Sequence, residues 1–149
     1  MRKGIKITYI AITVNLTLAL IFAYLLASDL YSLFHQLFEW LINLAIGILA
    51  LYVSGYYVGK KIEFLIKKKH WNSIATGIIG LFVVLLFGII FGSSVSFLGE
   101  GVENIKNGNT LQNELFDYYF KPIFWILFFG IIPTVIAGGI MGKEIKNIT

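Results

Sequence analysis

The chain has 149 residues, of which 58% are hydrophobic and only 13% are charged, whereas soluble chains are roughly a quarter charged. Its formal charge of +4 does not indicate a nucleic-acid partner, because the basic residues stand beside long apolar runs, where they orient a protein in a membrane. The lack of cysteine excludes disulfides, thiolate metal sites and thiol catalysis.

Four apolar runs predict an all-α, polytopic membrane protein with four transmembrane helices arranged as two hairpins. The runs cover about residues 7–27, 41–59, 74–92 and 123–141, and residues 93–121 form the long loop within the second hairpin. Each run is long enough to cross ~30 Å of hydrocarbon at about 1.5 Å per residue. Apolar runs without alternation favour helices over barrel strands. The chain, 1–149, is expected to form a single transmembrane domain.

Three connecting segments show helical character. Residues 30–41 combine helical periodicity with a polar stripe, so this segment either lies flat in the interface or extends the second helix. Residues 60–70 carry apolar positions between lysine clusters and are expected to continue the second helix. The loop is rich in glycine and asparagine, which favour turns, and residues 111–120 within it are expected either to lie in the interface as a short helix or to extend the fourth helix.

The basic residues predict the orientation. Ten of the twelve lie before the first run, between the second and third runs, or after the fourth run. The positive-inside rule therefore places both termini and the 60–70 segment in the cytoplasm, with the protein integral to a membrane, expected to be the bacterial cytoplasmic membrane. The ten residues are Arg2, Lys3, Lys6, Lys60, Lys61, Lys67, Lys68, Lys69, Lys143 and Lys146.

A short motif recurs at the ends of the second and fourth runs. Both ends read G-x-x-x-G-K-x-I, beginning at Gly55 and at Gly138. The motif is compatible with two parallel repeats related by an axis along the membrane normal. The ordinary preference for glycine and lysine at helix ends also explains it.

Small residues form stripes on the runs and predict where helices pack. Lipid gives apolar helices no reason to associate, so close backbone approach supplies the packing. These faces meet either within the chain or between chains. The helix-packing candidates are Ala19, Ala23, Gly55, Gly59, Gly88, Gly92, Gly138 and Gly142.

Few polar residues lie within the runs, and none of them is ionisable. Asn15, Asn43 and Thr134 are expected either to form hydrogen bonds between helices or to line a polar path. Pro133 removes one backbone donor from the fourth run and is expected to kink it.

No pattern in the chain points to catalytic chemistry, a cofactor or a metal site. We therefore expect a small, non-enzymatic integral membrane protein that acts through helix–helix contacts, as an accessory, immunity or regulatory subunit. The alternative is the protomer of an oligomeric channel or small-solute transporter. The expected partners are the lipid bilayer and either a second copy of the chain or another membrane protein.

Overall fold

The computed structural model describes residues 3–26, 35, 38 and 41–147. These residues are almost entirely helical, and no strand occurs among them. Four of the helices are long and apolar enough to cross a membrane, which confirms the all-α class and the number of candidate spans. The expectations for residues 27–40 fall almost wholly outside the described part of the chain.

The long helices alternate in direction. They are α1 (Lys3–Leu26), α2 (Leu41–Lys69), α3 (Ser73–Ser96) and α6 (Lys121–Asn147). Two short helices, α4 (Val102–Lys106) and α5 (Leu111–Leu115), lie between α3 and α6. A π-helical turn, Phe97–Gly101, precedes α4, and another, Phe116–Phe120, follows α5.

The four long helices form a ring in which each packs on two neighbours, in the order α1, α2, α3, α6. Their ends gather the charges into two groups. The basic end holds the start of α1, the last turns of α2 and the last turns of α6, and its lysines include Lys3, Lys60, Lys67 and Lys143. The acidic end holds α4, α5 and the two π-helical turns, with Glu100, Glu103, Glu114 and Asp117.

Helix α2 continues ten residues beyond its apolar run, as far as Lys69. Ile62 and Ile66, one turn apart, are buried, so the extension keeps an apolar face on the bundle. The helix ends where His70 takes a left-handed backbone conformation, with φ of 53°. Asn72 then begins α3, because its side-chain oxygen accepts hydrogen bonds from the N–H groups of Ile74 and Ala75, both at 3.1 Å.

The expected long loop is instead an ordered helical hairpin, which we call the acidic cap (Phe97–Phe120). Its turn falls at Gly108, whose φ of 109° suits glycine. Glu114 is only 3% exposed and accepts hydrogen bonds from the side-chain amides of Asn104 (3.2 Å) and Asn109 (2.8 Å). The glycine and asparagine that indicated a loop therefore form one tight turn and the polar contacts that close it.

Candidate functional site

The contact between α3 and α6 near the basic end is made by backbone atoms. A Cβ added to Gly138 would lie 2.7 Å from the Cα of Ile78 and 3.0 Å from the carbonyl oxygen of Gly77. A Cβ added to Gly142 would collide with the carbonyl oxygen of Ser73. Glycine is therefore required here by close approach of two helices, which is how small residues hold membrane helices together.

Two further interfaces are closed in a related way. Between α2 and α3, a Cβ on Gly92 would lie 3.2 Å from the carbonyl oxygen of Asn43, and one on Gly47 would lie 3.3 Å from that of Gly88. Here the Asn43 side chain also donates a hydrogen bond of 2.5 Å to Ser96.

Between α1 and α2, the contacts begin at the basic end, where the Gly4 N–H donates to the carboxylate of Glu63 at 3.1 Å. Gly59 packs on Thr8, to which an added Cβ would approach within 2.7 Å. The contacts between the two helices extend as far as Thr13 and Tyr52, whose hydroxyl groups share a hydrogen bond of 2.9 Å. The half of α1 nearest the basic end is thus well packed on α2.

The fourth interface, between α1 and α6, is open in the half that lies nearest the acidic end of the ring. We call this region the open interface, formed by residues 15–25 of α1 and 125–134 of α6. A cavity of about 1110 Å³ lies there and extends inward to Leu81 and Val84 of α3. The rings of Phe22 and Phe129 meet across it with centroids 5.4 Å apart. Helices α1 and α6 therefore touch at this aromatic pair and leave a slot around it.

Among the described residues the cavity walls are apolar except where Asn15 and Thr134 meet, which we call the polar spot (Asn15 and Thr134). The Asn15 side chain donates a long hydrogen bond of 3.4 Å to the Thr134 hydroxyl. Its buried oxygen has no hydrogen-bond partner among the described residues. Pro133 has no N–H, so the Phe129 carbonyl lacks its usual helical donor. Asn15, Phe129, Pro133 and Thr134 all line the cavity.

The predicted site residues fall into two groups. Gly55, Gly59, Gly88, Gly138 and Gly142 are buried and Gly92 is half-buried, and all six lie against other helices. Ala19 is exposed and Ala23 half-buried, and both line the cavity. Their contributions to stability stay predictions.

Of the polar candidates, Asn43 pairs with Ser96, whereas Asn15 and Thr134 meet each other in the polar spot beside Pro133. Sequence reasoning missed Gly47, Trp125 and Phe129. For Gly47 a signal was available, since it lies two turns before Gly55 in the same run.

The described lining of the open interface suits an apolar ligand. Among the residues that the structure describes, no titratable side chain lines the cavity. Within the described ranges, no group of three or more histidine, cysteine, aspartate or glutamate residues is arranged to hold a metal ion. What the site provides is an apolar space with a few hydrogen-bonding atoms at mid-depth, the usual composition of a small-molecule or partner site. No family model, curated protein or solved structure matches this chain.

Proposed function

We propose that the protein is a non-enzymatic integral membrane protein that acts through helix–helix contacts, as an accessory, immunity or regulatory subunit. The partner is a transmembrane helix of another membrane protein, which packs over the acidic half of α1. This half of α1 makes few contacts with the rest of the described chain.

One observation carries the proposal. Every side chain from Thr17 to Phe22 is exposed, which is more than one full turn of helix, so no residue of this stretch is buried against the described chain, although the Phe22 ring touches that of Phe129. An ordinary lipid-facing helix buries one side against its bundle. Ala19 lies in this turn and leaves room for the backbone of a partner to approach closely.

Site-specific photo-cross-linking in the membranes of the producing cell tests the proposal. A photoreactive residue at Leu20, on the uncovered turn, is expected to give one discrete adduct with another membrane protein. The matched control is Leu49 of α2, which is 62% exposed and lies at a similar distance from the acidic end. Equal adducts at both positions, or none at Leu20, would contradict the proposal.

The channel or transporter alternative is favoured by the cavity itself, because transporters bind solutes near mid-membrane beside interrupted helices. Four helices leave little room for a path, so this alternative requires an oligomer. Light scattering on the detergent-solubilised protein discriminates between the two functions. A monomer argues against the oligomeric channel, and a defined symmetric oligomer argues for it.

We also propose that both termini and the basic end face the cytoplasm. The support is the ten-to-two division of basic residues, together with the position of most of the described lysines at one end of the ring. A reporter fused after Thr149 and another inserted at Asn107 are expected to report opposite sides of the membrane. If both reported the same side, the four-span arrangement would be wrong.

The two hairpins, α1–α2 and α3–α6, are proposed to be parallel repeats related by an axis along the membrane normal. The support is a similar contact at the basic end of each: Gly59 packs on Thr8 in the first hairpin, and Gly142 packs on Gly77 in the second. An experimental structure in which no approximate rotation superposes the hairpins would remove the proposal.

The repeat proposal also explains why the open interface is rich in small residues. Under this correspondence, α2/α3 and α6/α1 are equivalent interfaces, one closed and one open. The small residues of the closed interface then have small residues at the equivalent positions of the open one. Gly88 corresponds to Ala19, Gly92 to Ala23 and Gly47 to Gly130.

A further inference from the structure

The cavity at the open interface has a shape that suits a slender apolar molecule. The Phe22–Phe129 contact, with ring centroids 5.4 Å apart, crosses the gap between α1 and α6 and leaves no room for a helix about 10 Å wide to enter. The volume of about 1110 Å³ is at the upper end of ordinary ligand sites. A single chain or a small ring system passes beside the aromatic pair and reaches Leu81 and Val84.

The polar spot at the inner end of this cavity is incompletely satisfied. Asn15 lies about 18 Å along α1 from its start, which is half the length of the helix. Its amide has one long hydrogen bond, to Thr134, and one buried end without a partner among the described residues. An unpaired buried amide atom is unfavourable. This one is covered by its neighbours, so a ligand completes the pairing when the Asn15 side chain turns toward the cavity, and it gains affinity by doing so.

A hydroxyl group completes the polar spot in either orientation of the amide. If the Asn15 oxygen is the unpaired atom, the hydroxyl donates to it; if the side chain is turned over, the hydroxyl accepts from its nitrogen. The ends of phospholipid chains carry no hydrogen-bonding group and cannot do either.

We propose that the cavity is a binding site for a membrane-dissolved alcohol, a molecule with a long apolar body and one hydroxyl group that pairs with Asn15. The apolar body lies along α6 past Trp125, which also lines the cavity. This site is independent of the proposed partner helix: cross-links at Leu20 report a protein over the open interface, whereas the experiment below reports a small molecule inside it.

Quenching of Trp125 fluorescence by brominated probes tests the proposal. The chain has three tryptophans, so the full-length protein would carry Trp40→Phe and Trp71→Phe, which leave Trp125 as the one emitter. The probes are a bromoundecanol, with bromine at the end opposite the hydroxyl, and bromoundecane. Trp125 precedes Thr134 by nine residues, about 13 Å of helix, so a hydroxyl at Asn15 places the bromine of an extended probe beside the indole.

Bromoundecanol is expected to quench at an about 3- to 10-fold lower concentration than bromoundecane, the difference that one buried hydrogen bond provides. Asn15→Leu, of similar size, is expected to abolish this difference. The control Asn43→Leu removes the other intramembrane asparagine, whose partner is Ser96, and is expected to preserve it.

A cavity-filling variant, Ala19→Phe, is expected to reduce quenching by both probes. Equal quenching by the two probes in the parent protein would overturn the proposal without any Asn15 variant. So would an alcohol preference that survives Asn15→Leu, or quenching that Ala19→Phe leaves unchanged.

Discussion

Gly138→Leu is expected to destabilise the bundle by about 3 kcal/mol, the upper end of what overpacking usually costs. The new side chain would begin 2.7 Å from the Cα of Ile78 and 3.0 Å from the carbonyl oxygen of Gly77. Both are backbone atoms, which cannot turn aside as a side chain can. Helices α3 and α6 must therefore separate, and this separation also loosens the contact between Gly142 and Ser73.

The measurement is the melting temperature, or the midpoint of unfolding in a denaturing detergent. Ile140→Leu is the matched control, because Ile140 lies two residues further along α6 and is 58% exposed. Gly138→Ala, which adds the Cβ alone, should lower the melting temperature by an amount between those of Gly138→Leu and Ile140→Leu. Equal, negligible shifts for Gly138→Leu and Ile140→Leu would show that the α3/α6 contact contributes nothing to stability.

Glu114→Ala is expected to open the acidic cap, with a local cost of about 2 kcal/mol. The substitution removes the acceptors of two hydrogen bonds, from Asn104 and Asn109, each contributing about 1 kcal/mol. The first bond joins α4 to α5 across the turn at Gly108, and the second joins the turn itself to α5. Since the cap lies outside the predicted spans, its opening does not require the transmembrane ring to unfold.

Hydrogen–deuterium exchange of residues 102–115 measures this opening. A local cost of about 2 kcal/mol corresponds to roughly 30-fold faster exchange, with little change in α3 and α6. Glu103→Ala is the control on the same hairpin, because Glu103 is exposed. Glu114→Gln keeps one acceptor and should give an intermediate rate. Exchange that is the same for Glu114→Ala and Glu103→Ala would contradict a structural role for the buried carboxylate.

The sequence by itself determined the helical class and the four candidate spans. A backbone in lipid must pair its N–H and C=O groups within the same segment, so local composition decides the structure of each apolar run. The continuation of the second helix through residues 60–70 was also predictable, and α2 extends to Lys69 with Ile62 and Ile66 buried on the bundle. The helical hairpin of the acidic cap was less predictable, because the contacts of Glu114 with Asn104 and Asn109 join residues ten and five positions apart.

Only the tertiary structure decided how the small residues are used. The spacing of Gly138 and Gly142 resembles that of Ala19 and Ala23, yet the first pair lies against the backbone of α3 and the second lines a cavity. A stripe identifies a face of one helix and carries no information about which helix meets it, or whether any does. For Asn15, the sequence likewise shows only that a polar residue lies in an apolar run. Its incomplete pairing with Thr134 beside Pro133 depends on how α1 and α6 cross, which is a property of the assembled ring.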